Sequence, residues 1–147
     1  MEKIYFTIEE MIDSIKKISA QLVDSNYDPE VIISINRGGC TPGIYLSHYL
    51  NKPHEVINIE LRDSNIEPDL TSIKEKIKQF NSVLIIDDIN DSGATLWEVA
   101  NQIYGRMIAK PKFATLVSKE TSEFENLIFG YKINKTEEDD WVVFPWE

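Results

Sequence analysis

The stretch SVLIIDDINDSGATL, residues 82–96, runs four apolar residues into three aspartates, Asp87, Asp88 and Asp91, which lead on to Ser92, Gly93, Ala94 and Thr95. Carboxylates at the end of an apolar segment are costly unless a cation or hydrogen-bond donors meet them. Asp87 and Asp88 are placed to accept from sugar hydroxyls or to approach a metal ion. Ser92 and Thr95 offer hydroxyls, Gly93 permits close backbone approach, and free N–H groups at a helix start favour an anion. Acids beside such a cradle suit a ligand with both a phosphate and vicinal hydroxyls. A second segment, NRGGCTPG, sets the forked donor Arg37 before Gly38 and Gly39, whose backbone N–H groups can come close to a phosphate.

Other readings of these segments compete. Paired aspartates after a strand occur in P-loop nucleotide hydrolases, but the sequence contains no G-x-x-x-x-G-K-[ST]. They also occur on the first acidic strand of phospho-receiver domains, for which too little chain follows here. DINDSG could be a plain solvated turn whose Ser or Asp caps the next helix, and NRGG an ordinary strand-to-helix turn with a surface arginine.

The elements that must position these residues alternate in type. Thr7 with Glu10 forms a capping box, and Ile8, Met11, Ile12, Ile15, Ile18 and Leu22 follow at helical spacing. VIISI (31–35) reads as a buried strand, and Thr41-Pro42 suits a helix start. EVINIEL (55–61) reads as a strand, RDSNIEPDLTS (62–72) as a mobile loop, and Ile73, Ile77 and Phe80 as a short helix. A strand at 83–86, an acidic loop, and a helix marked by Leu96, Val99, Ala100 and Ile103 come next. FATLV (113–117) and LIFGYKI (127–133) are two further strands, before a solvated TEEDD run and WVVFPWE. Apolar strands alternating with amphipathic helices indicate an α/β fold with a mainly parallel central sheet flanked by helices. In such sheets ligands collect outside the carboxyl ends of the strands, where the acidic loop falls.

Composition bounds the function. The 147 residues, 42% hydrophobic, fit a single domain over 1–147, and a formal net charge of -10 disfavours a nucleic-acid or anionic-membrane surface. The single cysteine, Cys40, permits no intrachain disulfide and reads as a small buried residue. With no apolar run of membrane-spanning length, a cytoplasmic location is expected. His48 and His54 read as surface histidines. Tyr45, Tyr49 and Trp97 serve equally well as core or interface.

VLIIDDINDSGATL resembles the phosphoribosyl-diphosphate (PRPP) binding motif of the type I phosphoribosyltransferases. ISINRGGCTPG resembles that family's pyrophosphate loop, and WVVFPWE resembles the base-binding end of its small xanthine–guanine members. The resemblance implies the type I phosphoribosyltransferase fold with a mobile hood segment around 61–81. It implies a Mg²⁺-dependent transfer of phosphoribosyl from PRPP to hypoxanthine, guanine or xanthine. Asp87 and Asp88 would bind the ribose hydroxyls, directly or through Mg²⁺ and its waters. Asp91 would be the general base, and Asp91, Ser92, Gly93, Ala94 and Thr95 would hold the 5′-phosphate. Arg37, Gly38 and Gly39 would hold pyrophosphate, with a cis peptide bond before Arg37. Lys119 would donate to the 6-oxo group, Trp141 and Ile89 would sandwich the base, and the carbonyls of Val142 and Glu147 would read its 2-position. The family's hood places a Ser-Tyr pair that LRDSNIEPDL lacks. Homo-oligomers, dimers or tetramers, are common among such enzymes. The alternatives are a non-catalytic PRPP or nucleotide sensor and a phosphoribosyltransferase for another acceptor base.

Overall fold

The computed structural model describes residues 3–59, 77–103, 111–134 and 141–147. Helix α1 (Ile8–Asp24) starts at the expected capping box. The Thr7 side chain accepts from the Glu10 N–H, and the Glu10 carboxylate accepts from the Thr7 N–H, each at 3.1 Å. Its buried stripe is Met11, Ser14, Ile15, Ile18 and Leu22, while Ile8 and Ile12 lie at the exposed margin. Strand β2 (Val31–Asn36), helix α2 (Cys40–Leu50) and strand β3 (His54–Asn58) follow, then β4 (Val83–Asn90), α3 (Ala94–Ile103), β5 (Lys112–Lys119) and β6 (Ile128–Ile133). These five strands form one parallel sheet in the order β3-β2-β4-β5-β6.

Both faces of that sheet are covered, which explains why its strands read as unbroken apolar runs. Val31, Ile33, Ile35, Val83 and Ile85 pack with Leu96, Val99 and Ile103 of α3 on one side. Ile32, Leu84, Ile86 and Leu116 pack with Met11, Ile15 and Ile18 of α1 and Leu46 of α2 on the other. Tyr45, Tyr49 and Trp97 are 46%, 55% and 44% exposed, so they are not core residues. His54, expected on the surface, is half-buried at the sheet edge with its Nε2 2.6 Å from Ser34 Oγ. Burial holds its imidazole below the usual pKa. Cys40 is half-buried, and its Sγ–H donates to Asn36 Oδ1. None of the helices among the described residues is long and apolar enough to cross a membrane.

One expectation changes, and one feature was not foreseen. The strand expected at 83–86 continues to Asn90, so Asp87 and Asp88 belong to β4 and not to a loop. The cause is sheet geometry. Pairing of β4 with β2 ends at Ser34↔Ile86, whereas pairing with β5 continues through Asp87↔Thr115 and Ile89↔Val117 to Asn90↔Ser118. The unforeseen feature is a small parallel sheet made by β1 (Lys3–Tyr5) and β7 (Trp141–Val143), extended by a Phe6 N–H bond to the Val143 carbonyl at 2.9 Å. The strand expected at 55–61 is observed from His54 to Asn58. Of the expected hood, residues 61–76 lie outside the described residues. Ile77 is fully buried, and Phe80 packs against the core.

Candidate active site

In the strand order β3-β2-β4-β5-β6 the chain winds one way from β2 to β3 and the other way from β4 onward, so β2 and β4 flank the topological switch point. Beyond Ser34↔Ile86 the two strands part, and a cavity of about 980 Å³ opens at their carboxyl ends. Its walls take Arg37 and Gly38 from the turn after β2, Asp87, Asp88 and Ile89 from β4, and Thr95 from α3. Asn58 at the end of β3 and Ile59 just beyond it close the cavity on one side, and Trp141, Trp146 and Glu147 from the C-terminal segment on another. Four segments separated in sequence thus meet at one place.

The two aspartates are close and poorly solvated. Burial pushes the Asp87 carboxyl well above the usual carboxylate range, and the charge of Asp88 adds to the effect. Asp88 is raised to about 6, chiefly by burial; its hydrogen bond with Asp87 opposes the shift and the charge at Glu147 adds to it. Hard oxygen donors that resist ionisation together form a site a divalent cation would relieve. Across the cleft Gly38 lies against the Asp88 carboxyl, and a Cβ at Gly38 would lie 2.6 Å from Asp88 Cγ. Glycine is required there by approach. The Asn36–Arg37 bond is cis, as expected.

The turn expected to cradle an anion follows β4 directly. Gly93 has φ +92, and the first helical bond of α3 runs from the Trp97 N–H to the Gly93 carbonyl at 2.9 Å. The preceding N–H groups stand outside the helical ladder; that of Ala94 donates to Ser92 Oγ at 3.2 Å. Thr95 lines the cavity, whereas Ser92, Gly93 and Ala94 form the turn behind it.

Asp91 and Lys119 stand at the ends of the adjacent strands β4 and β5, with Lys119 Nζ 2.8 Å from Asp91 Oδ1. The Lys119 side chain is largely buried and that of Asp91 exposed. Neither lines the cavity; their pairing brings a carboxylate and a cation together at the carboxyl ends of β4 and β5. Lys119 is the last residue of β5, not a residue beyond it. Trp141 is 54% exposed and lines the cavity, as does Ile89, so it is no core tryptophan. Val142 turns its side chain into the core, leaving only its backbone for a ligand.

Sequence reasoning missed Asn58 and Trp146. Asn58 pairs in register with Asn36, whose Nδ2 donates to Asn58 Oδ1 at 2.5 Å, and so reaches the same end of the sheet as Arg37. A rule that weighs the last residue of each strand would have found it. Trp146 stacks on Phe144 with ring centroids 5.0 Å apart. Its buried Nε1–H makes no hydrogen bond of normal geometry, yet it lies near enough to Asp88 to favour that carboxyl's charged form. Only its nearness to Trp141 in sequence hinted at it.

Known proteins share this fold. The chain is 28% identical over 121 residues to the xanthine-guanine phosphoribosyltransferase of Cereibacter sphaeroides, covering 79% of this chain and 68% of that protein. The fold superposes on the purine phosphoribosyltransferase of Pyrococcus horikoshii with a TM-score of 0.77 and 26% identity, over 100% of this chain and 95% of that one. The xanthine-guanine-hypoxanthine phosphoribosyltransferase of Helicobacter pylori shares the fold with a TM-score of 0.76 at 19% identity, over 99% and 92% of the two chains. The phosphoribosyl transferase domain model matches residues 2–147, spanning every strand and turn that builds the cavity, and the chain therefore belongs to that family.

Proposed function

We propose that the protein is a purine phosphoribosyltransferase that moves the 5-phosphoribosyl group of PRPP to a 6-oxopurine, releasing pyrophosphate. The observation that carries this reading is the meeting of Arg37-Gly38, the poorly solvated Asp87–Asp88 pair, Thr95 and Trp141 in one cavity, with Asp91 and Lys119 beside it. Arg37 and the N–H groups of the 38–39 turn bind the diphosphate, and the cradle at 92–95 binds the 5′-phosphate. The ribose hydroxyls then lie along Asp87 and Asp88.

In the reaction the bond from C1′ to the diphosphate oxygen breaks, a bond from C1′ to a purine ring nitrogen forms, and that nitrogen's proton passes to Asp91. Fixed ends hold C1′ in line between the two groups, so positioning and electrostatics supply most of the acceleration. Trp141 and Ile89 hold the base between them. Lys119 donates to the 6-oxo group; the adenine amino group would leave its ammonium facing another donor, which selects for oxopurines. Asp87 and Asp88 would hold Mg²⁺, whose charge would offset two hard-oxygen carboxylates that resist ionising together. The described residues hold no cluster of three or more side chains that would cage a metal. When bound, it would neutralise charge on the diphosphate.

The test is a panel of hypoxanthine, guanine, xanthine and adenine with PRPP and Mg²⁺, repeated with Asp91→Asn and Lys119→Ala. Nucleotide forms from at least one oxopurine. Asp91→Asn lowers kcat by roughly 10²-fold or more, the scale of a lost general base. Lys119→Ala narrows the preference for oxopurines over adenine. PRPP binding with no base consumed would overturn the enzyme reading in favour of a nucleotide sensor.

A further inference from the structure

We propose that Asn90 is a positioning residue for the reaction, acting from beneath the site to hold the 5′-phosphate cradle and the backbone of Lys119 in register. The inference rests on the phosphoribosyltransferase reading above. Asn90 is 1% exposed and does not line the cavity, yet its amide is fully used. Nδ2 donates to Ser118 Oγ at 3.1 Å and to the Phe124 carbonyl at 2.8 Å, and Oδ1 accepts from Ser122 Oγ at 2.8 Å. A carbonyl only accepts, so the contact with Phe124 fixes which way the amide faces.

These partners are not scattered packing. Ser122 and Phe124 lie in the turn between β5 and β6, and that turn is the back wall of the cradle. The Glu123 N–H donates to the Ser92 carbonyl at 3.1 Å. Phe124 closes on Gly93, where a Cβ would lie 2.8 Å from its backbone nitrogen, and its ring meets Trp97 in the first turn of α3 edge-on at 5.1 Å. The same turn begins at Lys119, whose carbonyl accepts from the Ser122 N–H at 3.1 Å. One buried amide therefore joins the end of β4, the end of β5 and the wall behind residues 92–95. The 37–39 turn that would hold pyrophosphate makes none of these contacts, so loss of Asn90 is felt at one end of PRPP and not at the other.

That asymmetry is the test. Calorimetric titrations of the full chain with ribose 5-phosphate, and separately with pyrophosphate and Mg²⁺, compare the unaltered protein with Asn90→Leu and the milder Ser122→Ala. Asn90→Leu weakens ribose 5-phosphate roughly tenfold and Ser122→Ala about threefold, while pyrophosphate stays within about twofold in both. A purely structural role would weaken both ligands alike. Equal weakening of the two ligands, or none, overturns the proposal, and Ser122→Ala decides by the same criterion should Asn90→Leu fail to fold. Failure of the unaltered protein to form nucleotide from PRPP, measured alongside, removes the parent reading instead.

Discussion

At the scale of single residues, Asp87 and Asp88 show a site held at the expense of stability. A carboxyl whose folded pKa is raised binds its proton more firmly in the folded than in the unfolded state, so its contribution to stability falls as pH rises. For Asp88 the fall runs between the ordinary carboxylate value of 3.8 and about 6, and the cost is complete above that. Asp88 is 6% exposed, and the cost is of order 1–3 kcal/mol. Asp88→Asn therefore raises the melting temperature of the metal-free protein by several degrees at about pH 7.5 and by much less at about pH 4. It also lowers kcat/KM by roughly 10²-fold, a stability–activity trade-off. Thermal scans at the two pH values check the first statement, and a variant no more stable than the parent at the higher pH would sink it. Asp87, Asp88 and Arg37 were legible in the sequence because their chemistry is local: acids after an apolar run, an arginine before two glycines. Asn58, Trp146 and Asn90 were not, because each owes its place to a partner strand or turn distant in the chain.

At the scale of elements, a cap or a period was legible, and a partner was not. Helix α1 carries its capping box within four residues and starts where expected. Strand β4 was read four residues too short, because aspartates are poor strand formers and only the continued ladder to β5 keeps them extended. Strand β1 is three residues long, with no pattern of its own, and exists through its register with β7. The junction of β4 and α3 turns on Gly93, whose φ of +92 and closeness to Phe124 exclude any side chain. Gly93→Ala costs about 1–3 kcal/mol through strain and contact together. Because the strain falls on the cradle, KM for PRPP rises roughly tenfold while KM for the base moves much less. Urea unfolding and initial-rate kinetics read the two effects, and a variant that loses stability with both KM values intact would show the junction to be scaffold alone.

For the whole molecule, charge and architecture pull in opposite directions on the substrate. The main sheet and the β1–β7 pair bring two tryptophans and Arg37 over a cavity suited to an anion, yet the chain carries a formal net charge of -10. PRPP is a polyanion, so the molecule as a whole repels what its site attracts. The two fields have different reach. At about 0.01 M ionic strength the screening length is about 30 Å, and a ligand feels the net charge of the entire protein. Near 0.15 M it shrinks to about 8 Å, and only the groups at the site remain in view: Arg37, the helix and turn N–H groups, and the Asp87, Asp88 and Glu147 carboxyls, which saturating Mg²⁺ would offset. Raising salt across that range, with Mg²⁺ held saturating, therefore lowers KM for PRPP before specific ion competition raises it again, whereas KM for the uncharged purine stays nearly flat. Surfaces that steer anions inward show the reverse order. Initial rates at five or six salt concentrations decide between them, and a KM for PRPP that rises from the lowest salt onward would mean that the local basic groups outweigh the charge of the whole.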